Sequence, residues 1–402
     1  MKKFLKSNKG SITTVVLVTV LFFVTILSTG YMVAATLRQG QLKSELVAKE
    51  TYEKPLNNLE ELADEINGTT LPSTAETTPY LPDDSFKKVP GTDLSKGLVI
   101  EDKYENQYVW VEVPKNLTVY PTAGLNIIDF TDDEYTKIEN DLHTYTSVYR
   151  NGTTFTDTWA ADNDNEGWFT ESEYYVQKKK MLKSVYQNGG FYVGRYEAGI
   201  AVNRTSDTEK NLDGKYIAPS AIPVSKADAY PYTYVTRTQA KVLAEKVNSG
   251  SYTSSLMFGV QWDLVLAFMH DKGNIADNVL ISDSSSIGNY KNNLWNIADT
   301  KTKYSTDIGK NFFACPYTKT TNSSVLLTTG ANINFSVQNI YDISGNVWEW
   351  TLEYSDDTGY PYTSRGGDFN DDGTLYSAAY RNILHSTNSG YLTAFGFRVS
   401  LF

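Results

Sequence analysis

The turn built on Asp342, Ser344, Gly345 and Asn346 delivers a second carboxylate, Glu349, into the run Val347-Trp348-Glu349-Trp350-Thr351-Leu352. Strand alternation puts Trp348, Trp350 and Leu352 on one face and Val347, Glu349 and Thr351 on the other. One face is predicted as core, and the other carries a carboxylate beside a polar loop. A tight glycine-containing turn between two carboxylates can aim several carbonyl oxygens inward. That suits a hard cation, which takes six to eight oxygens at roughly 2.3–2.6 Å. The competing reading closes an Asx turn with Asp342 and leaves Glu349 in water. Further on, Asp368, Asn370, Asp371, Asp372, Tyr376, Tyr380, Asn382, His385, Asn388 and Tyr391 crowd one segment. Tyrosine supplies amphipathic contact area at small entropic cost, and Asn and Asp supply adaptable hydrogen bonds, a combination suited to ligand binding. The plainer alternative is a polar loop.

Soft-metal and redox chemistry is poorly supplied. Cys315 is the only cysteine, so it has no internal disulfide partner and is expected as a small buried hydrophobe. His143, His270 and His385 stand in three separate segments without ligand spacing, and each is expected to pack or face solvent. A net charge of -11 lacks the clustered basic surface that nucleic acid needs, so no nucleic-acid partner is expected. The 29 Tyr, 17 Phe and 7 Trp among abundant Thr, Ser and Asn predict a β- and loop-rich domain suited to sugar or protein recognition.

These residues need a frame to position them. Residues 1–10 carry Lys2, Lys3, Lys6 and Lys9, a basic tail expected in the cytoplasm. Residues 11–35 run without a charge, long enough to cross a bilayer of about 30 Å once, with the C-terminal domain outside the cell. A signal peptide cleaved after Val33-Ala34-Ala35 is the rival reading. Residues 36–66 predict a helical stalk, with Pro55 in a first turn and Leu56, Leu59, Leu62, Ala63 and Ile66 as an apolar stripe. Residues 67–96, with Pro72, Pro79, Pro82 and Pro90, read as a linker.

The globular domain is expected over residues 97–402. Strands are predicted at Leu98–Asp102, Tyr108–Val113 and through Phe191–Glu197. Residues 129–180 are expected to be helical in parts. Thr236 and Gln239 stand in capping-box spacing before an apolar stripe, with Gly250 placed to end that helix. A second helix is predicted over Val260–His270, and residues 271–334 as loop-rich.

Taken in order, the Tyr108–Val113 strand, the Phe191–Glu197 strand, the helices at Thr236 and Trp262, the GNVWEW turn and the Arg365-Gly366-Gly367 to Gly396-Phe397-Arg398-Val399 ending resemble the formylglycine-generating enzyme, or sulfatase-modifying factor, family. The resemblance implies an α+β, elaborated C-type-lectin-like domain, which stands behind the N-terminal transmembrane and stalk helix expected over residues 11–66. It also implies a structural calcium ion on Asp342, the carbonyls of Gly345 and Val347, and Glu349. The family's copper-binding thiol pair has no counterpart between Gly367 and Arg398, and its iron-using relatives' histidine ligands are missing too, so neither copper nor iron is expected. The segment from Asp368 to Tyr391 lies where that fold is catalytic in the enzymes and ligand-binding elsewhere. In retroelement-diversified relatives the same region is variable and rich in Asn, Ser, Tyr and Asp. The Lys9-Gly10 start resembles type IV pilin-like proteins, although Val15 stands where they carry glutamate. The expectation is a membrane-anchored, adhesin-like binder of a protein or glycan, with pilus subunits as possible partners.

Overall fold

A computed structural model describes residues 71–150, 155–206, 209–247, 252–384 and 393–402, all within the unit Glu60–Phe402. The predicted membrane segment and stalk, and the expected helix stop at Gly250, lie outside them. Among the described residues no helix is long and apolar enough to cross a membrane.

The architecture is α+β, with two main sheets and several small ones. Strands of the main sheets are numbered here in chain order. The first, six-stranded sheet holds β1 (Lys87–Lys88), β2 (Val99–Glu101), β3 (Gln107–Glu112), β4 (Gly190–Gly194), β5 (Ser254–Leu256) and β10 (Val399–Leu401), in the order β1-β2-β3-β4-β10-β5. The second, four-stranded sheet holds β6 (Trp348–Tyr354), β7 (Tyr362–Arg365), β8 (Arg381–Leu384) and β9 (Phe395–Phe397), in the order β8-β7-β6-β9. Strand β6 runs parallel to β9, with Trp348, Glu349 and Trp350 opposite Phe395, Gly396 and Phe397. Because β10 follows β9 after one residue, Arg398 is the junction between the sheets.

Among the described residues six α-helices accompany them: α1 (Asp132–Tyr145), α2 (Ser147–Arg150), α3 (Glu171–Asn188), α4 (Arg237–Glu245), α5 (Gly259–Asp271) and α6 (Asp277–Ile281). Helices α1, α3 and α4 start at Thr131, Thr170 and Thr236, each in a capping box with the Glu or Gln three residues on. Helix α3 ends on Gly189 in the left-handed conformation at φ 67°. Helix α5 is buried through Met269 and lacks a side-chain cap of its own. Asp157 supplies one, accepting from the amides of Gly259 at 2.6 Å and Val260 at 3.0 Å.

Trp110, Trp262 and Trp350 are the largest buried residues, and each indole N–H has an acceptor: Thr77 Oγ1, Ala378 O and Val235 O respectively. A smaller core gathers Trp295, Ile297, Val325, Leu327 and Phe335 around Cys315, which is buried as expected. Three expectations need correction. Residues 71–96 do not form a free linker: β1 pairs with β2, Phe86 is buried, and Thr77 donates to the Gly189 carbonyl at 2.9 Å. Strand β6 has two buried faces: Glu349, expected beside a polar loop, is buried against Arg398. The loop-rich reading of residues 271–334 missed α6 and a set of strands two or three residues long.

Candidate functional site

Two groups of side chains surround the GNVWEW turn, one internal and one opening to solvent. The turn itself is left-handed at Asp342 (φ 54°), Gly345 (φ 71°) and Asn346 (φ 63°). A Cβ on Gly345 would lie 2.4 Å from the Asn289 carbonyl, so only glycine fits there. Asn346 uses its whole amide. Its oxygen accepts from Asn289 Nδ2 and the Leu327 amide, each at 3.0 Å, and its nitrogen donates to the Leu327 carbonyl and to Glu197 Oε1.

Glu197, Asp342 and Glu349 are all buried here with one guanidinium, Arg398. Arg398 donates to both oxygens of Glu349, at 2.6 and 3.0 Å, and to the carbonyls of Gly194 and Tyr341. Asp342 accepts from the Gly330 amide at 2.7 Å. Glu197 Oε2 has no partner. Burial, reinforced by the Asp342 and Glu349 charges, pushes Glu197 well above the carboxylate range. Burial also pushes Asp342 up to about 7.

The calcium ligands implied by the resemblance can be weighed against this geometry. Glu349 is already committed to Arg398. With one guanidinium among three carboxyl groups, Glu197 and Asp342 are pushed toward their protonated forms, and the orphaned oxygen belongs to Glu197. Its role was not legible beforehand, because it reads locally as the end of a strand.

The second group rests on a rigid base. Arg365 and Arg381, paired across β7 and β8, both bind the same two buried carboxylates, Asp263 and Glu353. The loop that leaves β7 starts at Gly366 (φ 94°) and Gly367 (φ 78°). A Cβ on Gly367 would lie 2.7 Å from the Tyr376 carbonyl. Tyr290 hydroxyl donates to the Gly366 carbonyl at 2.6 Å and lies 2.8 Å from Ser344 Oγ, tying this loop to the GNVWEW turn.

On that base Asp368, Asp371, Tyr376 and Tyr380 come together with Trp348. The Asp368 amide donates to Asp371 Oδ2 at 3.1 Å, and the Trp348 side chain hydrogen-bonds the Asp371 carboxylate. Trp348, Tyr376 and Tyr380 meet edge-on or tilted, with centroids 5.0–6.0 Å apart. Asp368 is buried, Asp371 and Tyr376 are half-buried, and Tyr380 is 40% exposed, so the group grades from interior to solvent. Burial and the Asp371 charge push Asp368 up to about 8, while burial pushes Asp371 up to about 6. Near neutral pH the pair holds one proton between them, and can both donate to and accept from a ligand.

The remaining predicted residues part company. Asn370 is exposed beside the pair. Asp372 is spent on the Asn292 amide and a turn at Thr374. Asn382 lies on β8 against Ser364, and His385, Asn388 and Tyr391 fall outside the described residues. Trp348, expected on the core face of its strand, is part of the group.

No family model and no curated protein matches the chain. Among solved structures it is similar to CarF, at 17% identity over 52% of this chain and 85% of that one, with a TM-score of 0.28. It is similar to PvdO from Pseudomonas aeruginosa at 15% identity over 53% and 81%, with a TM-score of 0.27. It is also similar to Treponema denticola variable protein 1 at 12% identity over 82% and 99%, with a TM-score of 0.22. Likeness at this level carries no function across, which leaves the side chains to argue it.

Proposed function

We propose that residues 71–402 form a ligand-binding domain on a formylglycine-generating-enzyme-type, C-type-lectin-like scaffold, held outside the cell by residues 11–35. Its binding face is the group Asp368, Asp371, Tyr376 and Tyr380. The observation that carries this reading is the graded cluster itself: Asp368 and Asp371, joined through the Asp368 amide, backed by Trp348 and fronted by an exposed tyrosine. Carboxylates beside aromatic faces suit hydroxyl-rich or amine-bearing groups, such as those of a glycan or a protein surface. Thiol oxidation is disfavoured because Cys315 is the only cysteine and is buried in a separate small core. Glycan and protein arrays probed with the intact chain test the reading. Binding that Tyr380→Ala abolishes supports it, whereas copper-dependent oxygen consumption with a thiol peptide would favour an enzyme.

The scaffold part of the proposal extends to a structural calcium ion at Asp342, the carbonyls of Gly345 and Val347, and Glu349. The buried carboxyl groups of Glu197 and Asp342 favour a cation, while the hold of Arg398 on Glu349 weighs against one. Melting the chain in calcium and in chelator decides between them. A bound ion raises the melting temperature, and no shift would remove calcium from the proposal.

A further inference from the structure

Beside the Arg365–Arg381 network lies a donor set on α1 and on the loop before α3. Glu139 and His143 are one turn apart on α1 and share a face of that helix. Asp157, buried between α2 and α3, reaches the same point. One donor atom from each of the three lies within 4.8 Å of the other two. His143 Nε2 is buried and has no hydrogen-bond partner. Asp157 is held in place by the two α5 amides that it caps.

A cation already sits beside these donors. Lys178 Nζ is 2.9 Å from each oxygen of Glu139 and 2.9 Å from the Asp157 carbonyl. The ammonium thus bonds the Glu139 carboxylate and the Asp157 backbone carbonyl, and leaves His143 Nε2 unused.

We propose that Glu139, His143 and Asp157 form a site for a divalent transition metal of the zinc class, with Lys178 as the ammonium that yields when the metal enters. One imidazole nitrogen and two carboxylates suit a borderline ion, and the nitrogen donor selects against calcium and magnesium. Such donors stand about 2.0–2.2 Å from zinc, hence roughly 3.4 Å from one another around a tetrahedral ion. Closing the present spread takes side-chain rotation of Glu139 and His143 within α1, with Asp157 fixed. The bound ion would clamp α1 onto the capped start of α5.

The test uses the intact chain, stripped with chelator and titrated with zinc chloride by calorimetry, with thermal melting alongside. The wild type should take up one equivalent with a rise in melting temperature. Glu139→Gln and His143→Gln should each weaken binding at least tenfold, and Lys178→Met should tighten it several-fold. Metal-free melting curves of the variants separate lost ligation from lost folding; Glu139, partly exposed, carries the test if His143→Gln does not fold. A wild type with no zinc-dependent heat or melting shift overturns the proposal, as does zinc binding that survives both ligand substitutions.

Discussion

Arg398 carries more of the fold than any other charged side chain near the GNVWEW turn. It ties Glu349 on β6 to the carbonyls of Gly194 and Tyr341 while sitting between the two main sheets. Removing one partner of a buried ion pair leaves an uncompensated charge, so Arg398→Met should cost about 3–5 kcal/mol in urea unfolding. Adding Glu349→Gln to that variant should recover part of the loss, and a double variant no more stable than Arg398→Met would show that the pair is not the cause. Asp368 and Asp371 give a pH signature. Both are carboxyls whose folded values, about 8 and about 6, lie above the unfolded value of about 3.9. The folded state therefore binds more protons than the unfolded state in that window. The stability this pair contributes is present at acid pH and is lost as pH rises through about 6 and then about 8. Urea midpoints measured from pH 5 to pH 9 should fall, and Asp371→Asn should flatten the fall. An identical slope in that variant would place the titration elsewhere.

The loop from Gly366 to Tyr380 depends on its two left-handed glycines and on Tyr290, which bonds both the Gly366 and Tyr376 carbonyls. Gly367→Ala should cost more than about 2 kcal/mol, combining a left-handed alanine with a 2.7 Å clash against the Tyr376 carbonyl. Unfolding measurements check this, and an unchanged midpoint would mean that the loop can shift freely. Elements of this kind differ in how far they can be read beforehand. Helix α4 was legible because its start signal and stripe are local: Thr236, Gln239, then Ala240, Leu243 and Ala244. Residues 71–96 were not, because their prolines speak locally while Thr77 and Phe86 are placed by contacts with Gly189, Trp110 and Tyr108. The i,i+4 spacing of Glu139 and His143 was visible in the chain, but nothing local brings Asp157 to them.

Across the whole domain, the internal centre and the outer face share one construction. The GNVWEW strand supplies Glu349 inward to Arg398, and Trp348 toward Asp371 and Tyr380. Its central place was legible, as was the clustering of Asp368, Asp371, Tyr376 and Tyr380. The buried environment of Glu349 and the convergence of Glu197 were not, because partners 49 and 149 residues away from their acceptors decide them. The clearest test of the domain as a binder is the affinity of the wild type, Tyr380→Ala and Asp371→Asn for the strongest array ligand, measured by calorimetry. Both substitutions should weaken binding at least about tenfold, roughly 1.4 kcal/mol, with the urea midpoint of Tyr380→Ala little changed. Wild-type affinity in both variants would contradict the assignment of this face.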